Sequence, residues 1–432
     1  MEDMGKSVGG ASEDGEGGGG TRAEERGTRA WCGASTKMRE MGRDPGGGRG
    51  HGAGAMAVPT TDPKKILREL VALPSVHPEA DARGTIPGEA AMAAWMADHV
   101  RSLGGAVTTS LIAPGRPSVV GVFEPARKAR ATVVFAPHLD TVGVHGMTVP
   151  AFKLSESNGR LYGRGACDTK GPTAAMLAAV GAWLQSAERR ISDIRWVIAA
   201  TAGEEQGSLG AQALVKAGLR ADFGVALEPT DLKVVYAAKG VLRVWITVPG
   251  RAAHGAKPER GDNAVYRALP LVQALKDELA PWLAAQRHPV LGGCSLNLGV
   301  LQGGGELNLV PAQCRLGLDI RVHPGCSAAD VRRRIADLVA RHAPRAKVSL
   351  HREGPAFVTA KSEPWARRLR AAGRGWAAAD WFCDANVFAA HGTPAVAFGP
   401  GSIRQAHTKD EFILERELRA GAAAFGRFMR GA

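Results

Sequence analysis

Residues 131–136 (Ala-Thr-Val-Val-Phe-Ala) form a short apolar run of β-branched and aromatic character, the pattern of a strand buried on both faces. Residues 194–200, 223–227 and 395–398 repeat it. Each run is followed by side chains that can ligate a metal: His138 and Asp140, then Glu204 and Glu205, then Glu228, then His407. The Ala-rich stretch 173–184 predicts a helix, with Asp168 in a tight loop just ahead of it. Residues 66–73 and 90–103 have amphipathic spacing and predict helices covering the sheet; residues 119–123 predict a further strand. Strands alternating with helices, with polar chemistry collected at one end of the strands, predict an α/β domain with its site at that edge.

The texture changes after residue 236. Residues 240–248 alternate as a strand and offer an edge for pairing with a second copy. Residues 263–279 read as a helix, 296–300 and 314–322 as strands, and 328–339 as a helix. Strand, helix, two strands, helix is a compact α+β module. It interrupts the first domain, which divides the chain into 1–55, 56–236, 237–352 and 353–432.

Composition sharpens this picture at the N-terminus. Residues 1–55 hold 17 of the 56 glycines, 8 Lys+Arg and 9 Asp+Glu, and have no periodic apolar positions, so disorder is expected there. Met56 as the natural start, or a dispensable tail, is favoured over a regulatory role. Glu2 and Asp3, with no apolar stretch behind them, argue against a signal peptide. No apolar run approaches the ~18 residues of a membrane span. A cytoplasmic protein with no membrane partner is expected. The six cysteines (Cys32, Cys167, Cys294, Cys314, Cys326 and Cys383) form no C-x-x-C pair and are expected to be reduced, buried filler.

The net charge is +13, and residues 238–352 carry 17 Lys+Arg against 8 Asp+Glu. Without aromatic interleaving or a recognition motif, this balance reads as a solvated basic surface or as steering of anionic substrates, not as a nucleic-acid site. The acid–histidine set is more informative. Mixed His and carboxylate donors suit zinc, with cobalt or manganese as substitutes. Five donors exceed one tetrahedral site, and a carboxylate shared by two metals resolves the count.

Six segments occur in order: H-L-D-T at 138–141, G-A-C-D-T-K-G at 165–171, G-E-E-Q-G at 203–207, L-E-P-T at 227–230, residues 250–263, and G-P-G-S-I-R-Q-A-H-T-K-D-E-F at 399–412. Together they resemble the M20 metallopeptidase family, in the branch of acetylornithine deacetylase and succinyl-diaminopimelate desuccinylase, over roughly residues 57 to 432. The resemblance implies a zinc-peptidase-like catalytic domain with a mixed sheet and an inserted lid or dimerisation domain. It assigns one metal to His138 and Glu228, the other to Glu205 and His407, and the bridge to Asp168. It makes Glu204 the general base, gives Asp140 the task of orienting His138 by a hydrogen bond, and sends His254 to the partner subunit's site as an oxyanion donor. Asn308 and Arg321 would hold a substrate carboxylate, with backbone donors from the loop containing Gly401. A cis peptide between Asp168 and Thr169 is also implied. His145, His323 and His391 match no ligand position.

Cys383-Asp384-Ala385 stands where this branch often has Cys-Thr-Glu, on the substrate side. The expectation is a dinuclear zinc amidohydrolase, a homodimer through its lid, that removes an acyl group from an N-acyl amino acid such as N-acetylornithine. A dipeptidase, carboxypeptidase or succinyl-diaminopimelate desuccinylase could use the same centre. A non-catalytic binding protein would be expected to lack Glu204 or a ligand, and all are present.

Overall fold

The computed structural model describes residues 60–431 except positions 82, 83, 85 and 87. The N-terminal extension over 1–55, with Cys32 and Met56, lies outside the described residues. A nine-stranded mixed sheet forms the larger layer. Its order is Ala106–Ala113, Arg116–Phe123, Ile194–Ala200, Ala131–Ala136, Phe223–Ala226, Ala395–Ala397, Val234–Ala238 and Phe357–Val358, with Trp376–Ala379 also pairing with Val234–Ala238. The four strands from Ile194–Ala200 to Ala395–Ala397 run parallel to one another. They are buried on both faces, which explains their near-continuous apolar sequence.

Alternation along these strands feeds two cores. Val133 and Phe135 point to one face, where Phe135 stacks on Trp196 at 5.5 Å and meets Phe425 and Phe428 edge-on. The helices Lys170–Leu184 and Glu415–Arg430 pack against each other on that side. Val134 and Ala136 point to the other face, against Leu214, Val387 and Phe388. A small sheet of Ser155–Ser157, Arg160–Tyr162 and Phe412–Leu414 pins the segment after His407 to the segment before Asp168.

The lid is built on a four-stranded antiparallel sheet ordered Ser295–Gly303, Gln313–Val322, Gly240–Pro249 and Lys347–Gly354. One face carries Leu242, Val244, Ile246, Leu316, Leu318 and Ile320 against the helices Ala264–Ala274 and Ala328–His342, in a core of its own. Asn263 caps the first helix by accepting from the N–H groups of Val265 and Tyr266. That helix continues through a π-helical turn, Leu275–Leu279, into Ala280–Ala285, beyond its expected end. One expectation is corrected here. Gly240–Pro249 is an inner strand with both backbone edges paired, so it cannot pair with a second copy. The free edges belong to Ser295–Gly303 and Lys347–Gly354. Among the described residues no helix is long and apolar enough to cross a membrane. The five described cysteines are free and buried.

Candidate metal centre

The parallel strands deliver their polar residues to one edge. Just beyond Ala131–Ala136, backbone pairing of His138 with Thr201 carries the sheet one step further and leaves the His138 ring buried. Its Nδ1 lies 2.9 Å from the Asp140 carbonyl and its Nε2 lies 3.0 Å from Asp168 Oδ1. The expected bond from the Asp140 carboxylate to His138 is therefore modified. That carboxylate is 3.6 Å from Nδ1, and its oxygens instead accept the backbone N–H groups of Glu204 at 3.0 Å and Glu205 at 3.1 Å. Two aligned amide donors outcompete a ring already satisfied by a carbonyl. Asp140 thus fixes the turn that carries Glu204 and Glu205 as well as lying beside His138.

Asp168 presents its two oxygens to two histidines. Oδ1 faces His138, and Oδ2 lies 3.3 Å from His407 Nε2. His407 Nε2 is also 3.0 Å from Glu205 Oε1. Ligand atoms of His138, Asp168 and Glu205 all fall within 4.8 Å of one another. His407 joins this group from a left-handed backbone position with its side chain half exposed, and Glu228 stands two residues beyond Phe223–Ala226, buried. The Asp168–Thr169 peptide is cis.

The loop holding Asp168 has an anchor far along the chain. Glu411 is buried, and its carboxylate accepts from the backbone N–H groups of Gly165 (2.9 Å), Cys167 (2.8 Å) and Asp168 (2.9 Å) and from Arg164 Nη1 (2.7 Å). Its signal in the sequence is an acid directly ahead of an apolar run, Phe412-Ile413-Leu414. Lys170, also buried, donates to the Leu73 carbonyl at 2.7 Å, and burial draws its pKa down to about 7.

The charges describe a cation site. Burial opposes protonation of His138, yet the Asp140 and Asp168 carboxylates push its pKa well above the ordinary value. Donating to the Asp168 and Glu205 carboxylates raises the pKa of His407 to about 10. Burial, then the charge of Glu228, drives Glu204 well up, and burial, then Asp168, does the same to Glu228. Carboxylates so crowded that two histidines are drawn to hold protons form a donor set that fits divalent cations.

The lid residues are arranged otherwise. His254 and Leu309 pair through an isolated bridge, and Gly255 N–H donates to the Asn308 carbonyl at 2.7 Å, so His254 and Asn308 sit together on an exposed rim. Among the described residues no hydrogen bond or ion pair joins either to the Asp168 cluster. Arg321 is paired with Asp319, Nε to Oδ1 at 2.7 Å. Gly401 lies beside the centre with φ +86°, and a Cβ there would stand 2.8 Å from Cys167 Sγ. His323 and His391 bond the carbonyls of Gln286 and Val387, and His145 is exposed.

An α/β sheet that gathers two histidines and three carboxylates beyond its strand ends defines a metallohydrolase. Comparison with known proteins narrows the class. The model of peptidase family M20/M25/M40 matches residues 134–431, and the chain belongs to that family. An acetylornithine deacetylase of Myxococcus xanthus is 32% identical over 321 residues, 70% of this chain and 80% of that protein. An acetylornithine deacetylase of Proteus mirabilis (strain HI4320) is 28% identical over 362 residues, 81% and 91% of the two chains. The M20 family metallo-carboxypeptidase Sso-CP2 of Sulfolobus solfataricus shares the fold with a TM-score of 0.73 at 17% identity, covering 85% of this chain and 98% of that one.

Proposed function

We propose that this chain is a dinuclear zinc amidohydrolase that removes the acyl group from N-acyl amino acids, with cobalt or manganese able to replace zinc. The observation that carries the reading is Asp168, whose two oxygens each face a different histidine, at 3.0 and 3.3 Å. His138 and Glu228 would hold one ion, Glu205 and His407 the other, and Asp168 both. Bound there, the ions supply an acidified water and a polarised amide carbonyl.

The chain's own groups do the rest. The Glu204 carboxylate takes a proton from water and passes it to the departing amine nitrogen, so that amide and water become acid and amine. Asp140 sets the direction of Glu204 through its backbone N–H. Asn308 and the Arg321 fork bind the substrate carboxylate, with the loop around Gly401 beside them; a planar guanidinium suits a carboxylate. His254 completes the oxyanion site of the partner subunit. The lid at 237–352 then separates two catalytic segments, 56–236 and 353–432, and the enzyme acts in the cytoplasm as a homodimer.

The test is hydrolysis of a panel of acetyl-, succinyl- and aminoacyl-amino acids by metal-loaded protein. Acyl-amino acids are cleaved, and Glu204→Gln retains metal while turnover falls ~100-fold or more. Full turnover by Glu204→Gln removes that residue from its role, and cleavage of dipeptides alone replaces the deacylase by a peptidase.

A further inference from the structure

The lid sheet turns its apolar face to its helices and its polar face away from them. On that polar face Arg352, Arg243, Asp319 and Asn297 stand directly opposite one another across all four strands. Arg321 lies two residues along from Asp319 on the same face. Asp319 is the only acid in this group, and it is fully used. Its Oδ2 accepts from Arg243 Nε at 2.6 Å and Arg321 Nη2 at 3.3 Å, and its Oδ1 accepts from Arg321 Nε at 2.7 Å. Two guanidiniums thus hold one carboxylate, and a third, Arg352, stands on the strand beyond Arg243.

The third, Arg352, reaches the catalytic centre. Its Nη1 donates to the Glu205 carbonyl at 3.3 Å, and its side chain lies on Gly207, where a Cβ would stand 2.7 Å from Arg352 Nε. Gly207 has φ +108°, a second reason for glycine there. Arg352 is half-buried, and burial, then the neighbouring Arg243, lowers its pKa, with Glu204 and Glu79 opposing. Among the described residues neither acid bonds to it, and one of its five N–H groups is used. Among the described residues Arg243 likewise bonds through Nε alone. Surplus positive charge, partly withdrawn from water, hangs beside the turn that carries Glu204.

We propose that Arg352 and Arg243 form an anion subsite over this turn, and that the preferred substrates are N-acyl amino acids with a second carboxylate besides the α-carboxylate. The second carboxylate sits either at the end of the side chain or at the end of the acyl group. Both place the same anion under the lid. An ammonium-bearing side chain such as that of ornithine meets guanidiniums there, and the one acid among them is already bonded. This inference rests on the deacylase reading and narrows its substrate class.

The experiment measures kcat/KM of metal-loaded enzyme for four compounds: N-acetylglutamate, N-succinylnorvaline, the neutral N-acetylglutamine and the cationic N-acetylornithine. At least one dicarboxylate exceeds N-acetylglutamine by about tenfold or more, the scale of a charge-assisted hydrogen bond, and N-acetylornithine falls below it. The favoured dicarboxylate says whether side chain or acyl group supplies the anion. In Arg352→Gln the ratio of that dicarboxylate to N-acetylglutamine collapses towards one, carried by KM, while Arg352→Lys keeps most of it. Because a ratio is read, a general loss of activity cancels. Equal rates for dicarboxylate and amide, a preference for N-acetylornithine, or an unaltered ratio in Arg352→Gln overturns the subsite and leaves the deacylase intact. Failure to cleave any of the four overturns the deacylase reading and the subsite with it.

Discussion

Glu411 sets the terms on which Asp168 works. A buried carboxylate is costly unless its oxygens are satisfied, and four donors satisfy this one. Three are backbone N–H groups of the loop that aims Asp168 at both histidines. Glu411→Gln keeps the shape but turns an N–H2 towards groups that also donate, so the loop loses its anchor. Metal affinity, measured by competition with a chelator, falls ~10-fold or more, as for other partners that orient ligands. Unchanged affinity would mean that the loop holds itself. Glu411 escaped notice in the sequence because its partners lie 246, 244 and 243 residues away. The ligand candidates were legible for the opposite reason. His138, Glu205, Glu228 and His407 each follow a short apolar strand-like run, which places them at one edge of the sheet, whereas Asp168 sits in a loop ahead of a helix and entered the set through the motif resemblance. The Asp140 contact lay between these cases: its proximity to His138 was readable, but its bonds to Glu204 N–H and Glu205 N–H depend on how two strand ends meet.

At the scale of elements, the parallel strands match their apolar runs closely, since burial on both faces leaves little choice of residue. Ala106–Ala113, an outermost strand with Thr108, Thr109 and Ser110 and no fully buried position, lacked that signal and went unread. The lid strand Gly240–Pro249 was recognised by its alternation, but alternation does not tell an inner strand from an edge. The edge Ser295–Gly303 exposes Val300 and Leu301, and the helix Ala264–Ala274 exposes Tyr266 and Leu269. These apolar groups on the lid, with an unpaired strand edge, support a lid–lid dimer through that edge. Such a dimer would let the rim bearing His254 serve the other chain. Mixing His254→Ala chains with Glu204→Gln chains therefore restores activity, because one site of each heterodimer keeps both residues. No recovery under conditions shown to exchange subunits would mean that His254 does not act across the interface.

Taken whole, the molecule joins three packed cores, one on each face of the large sheet and one in the lid. The large sheet supplies fixed ligands from distant parts of the chain, and the lid supplies a basic face above them. The large sheet is what brings residues 138, 168, 205, 228 and 407 together from distant parts of the chain. The central claim is that they take two metals through one shared carboxylate. The most direct measurement is elemental analysis of metal-loaded protein after removal of loosely held ions, for the native chain, Glu228→Ala and Asp168→Ala. The account predicts two metals per native chain, one retained tightly by Glu228→Ala, and both weakened by Asp168→Ala. A native chain that saturates at one metal, or an Asp168→Ala variant that keeps two, would contradict it.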